Sequence, residues 1–144
     1  MGKKRVIKKS GGEVDESMRA KSLSQSGKKR LEHGVLHIEA TYNNTKVVLT
    51  DVKGNSVASS SSGALGFAGA KKGTPFAAAK VGELLADKGI QLGLKDVDVM
   101  IKGVGAGRES AVRAFIGKGL NILSIKDVTP VPHNGPKPPR ARRV

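Results

Sequence analysis

From Val35 to Tyr42 (VLHIEATY) apolar and polar positions alternate, with Leu36, Ile38, Ala40 and Tyr42 on one side and His37, Glu39 and Thr41 on the other. A period of two predicts a strand with one buried face. Asn43-Asn44 predicts a tight turn after it, because Asn tolerates left-handed backbone. Thr45 to Asp51 (TKVVLTD) reads as a second strand, Lys53-Gly54-Asn55 as a turn, and Ser56 to Ser60 as a third strand. Three consecutive antiparallel strands result.

Beyond them the spacing becomes helical. Thr74 is a good N-cap and Pro75 suits a first helical turn. Ala77, Val81, Leu84 and Leu85 supply the inner face of that helix, and Gly89 is expected to end it. Val97, Val99 and Ile101 predict a fourth strand, and Gly103 to Gly107 a loop. A second helix is expected over Arg108–Lys118, with Ala111, Val112, Phe115 and Ile116 inward and Gly119 as its stop. Leu120 to Val128 completes the series as a fifth strand. The order βββαβαβ, with right-handed crossovers, predicts a mixed five-stranded α/β sheet with helices packed on it.

Composition changes the picture by adding a partner. The 144 residues carry 26 Lys+Arg against 12 Asp+Glu, a net charge of +14, with no Cys or Trp and little aromatic surface. Lacking Cys, the chain has no disulfide framework and no thiolate chemistry. No apolar run reaches the roughly 20 residues that span a bilayer, and the start lacks the apolar segment of a secretory signal. Cytoplasm or an organelle interior is the expected compartment. An excess of cations calls for a polyanion, and nucleic acid is the commonest.

The charge is uneven. Residues 1–30 hold ten Lys/Arg and three acids, residues 129–144 hold four and none, and the stretch 31–128 is nearly balanced. The sequence therefore predicts a basic, disordered extension (1–30), an α/β RNA-binding domain (31–128) and a Pro/Arg-rich tail (129–144). In that tail Pro130, Pro132, Pro136, Pro138 and Pro139 forbid a helix and stiffen the chain. Lys137, Arg140, Arg142 and Arg143 then ride on a backbone that loses little entropy on docking. Asn134-Gly135 adds a chemical expectation. Gly leaves its amide nitrogen open to attack on the Asn side chain, so isoaspartate should form there.

Two glycine-rich loops are placed to meet phosphate. In Ser59–Phe76 (SSSSGALGFAGAKKGTPF), Lys71-Lys72 precede a helix N-terminus, whose free amides attract anions. It lacks the Gly-Lys-Ser/Thr triplet of a nucleotide-binding P-loop. Lys102–Ser110 (KGVGAGRES) leaves a strand and enters a helix, but Arg108 stands where a dinucleotide fingerprint requires Gly. Arg108 at the positive end of a helix dipole is mildly unfavourable unless an anion lies there, which points to a phosphate.

These motifs together resemble the family of the eleventh protein of the small ribosomal subunit, in its bacterial form. The resemblance runs from about Gly34 to Val144. It rests on HIEATYNNT (His37–Thr45), TD–x–x–GN (Thr50–Asn55), GTPFAA (Gly73–Ala78), IKGxGxGRESAVRA (Ile101–Ala114) and DVTPxPHNGxxPP–RRV (Asp127–Val144). It implies a three-layer α/β domain of ribonuclease-H-like topology on the platform of the small subunit. There it would bridge rRNA helices and line the cleft where mRNA pairs with the rRNA 3′ end. The implied neighbours are the seventh and eighteenth small-subunit proteins and initiation factor three, with no cofactor. Carried onto this chain, the rRNA contacts fall on Asn43, Asn44, Lys71, Lys72, Arg108, Arg113, His133, Asn134, Lys137, Arg140, Arg142 and Arg143.

Two other classes fit parts of the sequence. A metal-dependent nuclease would use Asp51, Asp96 and Asp98, of which Asp96 and Asp98 share a strand face. His33 and His37 have metal-ligand spacing for a helix, but His37 lies on a strand, where four residues span about 13 Å. A free architectural nucleic-acid-binding protein would share the cations. Base-reading aromatics are what it would add, and Tyr42, Phe67, Phe76 and Phe115 do not form such a motif.

Overall fold

The computed structural model describes residues 30–141. The extension expected over 1–30 therefore lies almost wholly outside the described residues, as do Arg142 and Arg143 of the tail. Five strands and two α-helices follow the predicted order: β1 (His33–Ala40), β2 (Thr45–Asp51), β3 (Ser56–Ser61), α1 (Pro75–Gln91), β4 (Asp96–Gly103), α2 (Gly107–Ile116) and β5 (Asn121–Asp127). A short 3-10 helix, Gly69–Gly73, leads into α1.

The sheet order is β3-β2-β1-β4-β5. β1 pairs antiparallel with β2, and β2 with β3, through turns too short to permit anything else. β4 and β5 run parallel to their neighbours, as helical crossovers require. Both crossovers step the same way across the sheet, so both helices fall on one face. Leu36, Ile38, Val47, Leu49, Val97, Val99 and Ile101 point to that face. They share a single core with Val81, Leu84 and Leu85 of α1 and Val112 and Phe115 of α2. The described residues thus build the sheet and one helical layer, two of the three layers that the resemblance implies. Phe115 is fully buried, and truncating such a ring costs about 3–5 kcal/mol.

α1 and α2 pack closely because Gly82 faces the backbone of α2; a Cβ there would lie 2.5 Å from the Ala111 carbonyl oxygen. Thr74 caps α1 as predicted, its hydroxyl accepting from the Ala77 amide at 3.3 Å.

Several boundaries differ from expectation for identifiable reasons. Gly89 does not end α1, which continues to Gln91. Gly89 is instead buried against Leu94, and the turn is made by Gly93 at φ 85°. Ile116, expected inward, is 45% exposed, because α2 ends at that residue and its last turn passes the rim of the core. Tyr42, expected on the buried side of the first strand, is 78% exposed. Pairing stops at Ala40, and the chain turns before the alternation can carry Tyr42 inward.

Candidate nucleic-acid interface

Strands β1, β4 and β5 all exit at the same end of the sheet, and the loops that leave them meet there. The β1–β2 turn is closed by Thr41: its amide donates to the Asn44 carbonyl at 2.9 Å, and its hydroxyl donates to the same oxygen at 3.0 Å. In return the Asn44 amide donates to the Thr41 hydroxyl at 3.1 Å. Asn43 and Asn44 are thereby presented on a fixed turn. Behind it lies the Lys71-Lys72 segment, held by proximity that only glycine permits. A Cβ on Gly73 would stand 2.2 Å from the Tyr42 carbonyl oxygen. The Lys71 carbonyl accepts from the Thr74 hydroxyl at 2.7 Å, which links the lysine pair to the α1 cap. On the other side of the turn, a Cβ on Gly105 would lie 2.2 Å from the Thr41 carbonyl oxygen. Two loops therefore clamp one turn through backbone contact.

The third component is the root of the tail. Arg108, on the first turn of α2, donates to the Gly103 carbonyl and to the Asp127 carboxylate, and reaches the Thr129 hydroxyl at 3.4 Å. Asp127 also accepts from the Thr129 amide at 2.9 Å and from its hydroxyl at 2.6 Å. The Gly103 amide in turn donates to the Thr129 hydroxyl at 3.2 Å. The Thr129 hydrogen bonds, helped by the Arg108 guanidinium, pull the Asp127 carboxyl down to a pKa of about 2. Arg108 was expected to need an external anion, and the structure supplies an internal one. Its role in the fold is to latch the β4–α2 loop to the end of β5, fixing where the tail departs.

The site residues named from the sequence are thus partly gathered. Asn43, Asn44, Lys71, Lys72 and Arg108 converge at the strand exits. His133, Asn134, Lys137 and Arg140 continue outward on an exposed tail, with Asn134 at φ 52°. Arg113 stands apart: it lies on α2 about 8 Å along the axis from Arg108, paired at 3.3 Å with Glu109, both side chains 80% exposed. Asp127 and Thr129 were missed as partners. Their signal was the Asp-x-Thr spacing, with which Asp characteristically binds the backbone two residues on.

The nuclease carboxylates do not converge. By strand register Asp51 sits level with Gly34 and Val97, on the helix-covered face, while Asp96 and Asp98 occupy the opposite face. Each is committed locally: Asp51 to Asn55, Asp96 to Asn121, and Asp98 to His33 and Ser124. Hydrogen bonds from the Asn55 side chain and backbone hold the Asp51 carboxyl below its usual range. His37 meets Thr50 rather than His33.

A nearly balanced α/β domain with clamped loops and a basic tail leaving from one strand end has the construction of a nucleic-acid-associated protein. Residues 34–143 match the family described as Ribosomal protein S11, and the chain belongs to that family. It is accordingly a structural, non-enzymatic constituent of the small ribosomal subunit, bound to rRNA and acting in translation.

Proposed function

We propose that the end of the sheet where β1, β4 and β5 exit is the surface that grips rRNA, and that the tail extends this grip to a second rRNA segment. The observation that carries this reading is the convergence of the Asn43-Asn44 turn, the Lys71-Lys72 segment and the Arg108–Asp127–Thr129 latch on one edge. A rigid edge fixes register on phosphates, and a stiff, extended tail carries further cations away from it. That division of labour supports the bridging of rRNA helices, and the resemblance suggests the subunit platform as its place. The resemblance further suggests a position beside the cleft where mRNA pairs with the rRNA 3′ end. It also suggests the seventh and eighteenth small-subunit proteins and initiation factor three as neighbours.

The test is the salt dependence of binding to small-subunit rRNA. With the two basic ends neutralising about 6–8 phosphates, log affinity should fall against log salt with a slope of about −4 to −7. Deletion of residues 129–144 should flatten the slope. An unchanged slope would remove the tail from the RNA.

A further inference from the structure

Tyr42 is the feature that phosphate binding leaves unexplained. Its ring is 78% exposed, yet its backbone is held in place, met by Gly73 from one side and flanked by the Thr41–Gly105 contact on the other. An exposed aromatic ring on a mobile loop needs no explanation; one held on a fixed pedestal is pre-organised for a partner. Beside it opens a groove of about 340 Å³, lined by Ala40, Val104 and Pro130 and by the polar Glu39, Lys102 and Thr129. Val104 is itself 60% exposed. The slot therefore offers both apolar and polar surface.

We propose that this groove receives one unpaired nucleotide of the rRNA, its base stacked on Tyr42 and flanked by Val104 and Pro130, its phosphate on Lys102. The proposal rests on the RNA-binding reading above. A nucleobase has two apolar faces and a polar edge, which a groove lined by both apolar and polar side chains can receive. Bases within a duplex cannot enter, so the nucleotide must be unpaired. Lys102 is available for the phosphate: its ion pair with Glu39 spans 3.9 Å with both side chains about half exposed, a geometry that contributes little in water. Charge selects the same partner, since Lys102 lines the groove beside Thr129 and Pro130 at the root of the basic tail, and the chain carries +14. Stacking is tolerant of base identity, so no base-reading motif is needed.

The chain offers its own reporter, because Tyr42 is its single tyrosine and tryptophan is absent. Full-length protein is titrated with a short unpaired RNA of mixed sequence and with the blunt duplex of that sequence. Binding is followed by anisotropy of a dye on the RNA, and stacking by tyrosine emission. The unpaired RNA should quench Tyr42 and the duplex should leave it unchanged at equal occupancy. Tyr42→Phe should keep the affinity for unpaired RNA, while Tyr42→Ala should lower it about 5- to 100-fold. Val104→Asp, at a second exposed wall, should lower it as well. In small subunits reconstituted with Tyr42→Ala and no mRNA, base-directed chemical probing should reveal a newly reactive rRNA base. Binding with unaltered emission and a harmless Tyr42→Ala would overturn the base slot and leave RNA binding standing. Failure of both RNAs to bind would sink the RNA reading itself. An effect seen only with mRNA present, or protection of the groove by a neighbouring protein alone, would also overturn the proposal.

Discussion

The two ends of the parallel strands are both rich in glycine and use it differently. Where the strands exit, Gly73 and Gly105 let one piece of backbone touch another, with no room for a Cβ at either. At the opposite end, the turns after α1 and α2 close on Gly93 and Gly119 at φ 85° and 88°, with open space around both. At the exit end glycines fix loops against each other; at the other end Gly93 and Gly119 reverse the chain, while Gly34 and Gly89 make room for Leu94 in the core. The charges differ as well, because only the clamped end continues into a basic tail. Lys71, Lys72, Arg108 and the basic tail lie at the clamped end with Asp127 as their acidic partner, whereas at the open end Asp51 and Asp96 stand among Lys53, Lys95 and Lys118. Loop-to-loop backbone clamping is found where the basic tail departs, which is what the proposed rRNA surface would require.

Alanine substitutions would break this contrast if it is wrong. Gly105→Ala forces a methyl group to within van der Waals overlap of the Thr41 carbonyl, and should cost about 3 kcal/mol by denaturant unfolding. Gly119→Ala meets nothing and suffers only the left-handed backbone penalty of about 1–2 kcal/mol. Gly105→Ala should also weaken rRNA binding at a temperature where it remains folded, because the clamp shifts the turn. Equal costs at the two glycines, or intact binding after Gly105→Ala, would erase the distinction between the ends.

A smaller effect separates the cations of the proposed interface from a buried one. Lys88, in the last turn of α1, is 6% exposed, and burial lowers its pKa from 10.5. The penalty for holding it charged is fully present below the folded pKa and disappears as pH rises past 10.5. Stability should therefore climb through that alkaline window in the parent protein and stay level in Lys88→Met. At neutral pH the same substitution should stabilise the fold by about 1 kcal/mol, with rRNA affinity unchanged. A loss of affinity would place Lys88 among the functional cations.

Asp127 gives the acidic counterpart at the clamped end. Its pKa falls from 3.8 to about 2, so its contribution to stability is complete above 3.8 and is lost as pH descends toward 2. Asp127→Asn should remove the part of the acid transition in that window. It should also shift the amide resonances of Gly103 and Thr129, the two groups that the latch joins. Unchanged resonances would mean that the tail root is held by something else.

Much of the fold was legible because periodicity and caps are local signals. The alternation in Val35–Ala40, the Thr74-Pro75 helix start and the β1–β2–β3 turns each need only their own residues to be read. What escaped is non-local. Tyr42 continues the alternation perfectly and yet lies outside the strand, because pairing, not pattern, decides where a strand stops. Gly89 looks like a helix stop by composition, but its missing side chain serves the approach of Leu94 from the next element. Arg108 was legible as a cation in want of an anion; that the anion is Asp127, nineteen residues away, depends on β4 and β5 lying side by side. The candidate interface was thus readable as a set of residues, and its latch and clamp only in three dimensions.

The smallest predicted effect bears on how far the interface extends. Arg113 and Glu109 form an exposed i, i+4 pair, worth about 0.3–0.5 kcal/mol, so Arg113→Gln should leave unfolding almost unchanged. The resemblance nonetheless assigns Arg113 to rRNA, although it stands away from the strand exits on the outer face of α2. If it neutralises one phosphate, the substitution should weaken binding evenly across RNA sequences and make the salt slope about 0.7–0.9 less steep. That outcome would extend the RNA surface from the clamped edge along α2. A slope identical to the parent's would confine it to the strand exits and the tail, and the Arg113–Glu109 pair would then be an ordinary solvated contact.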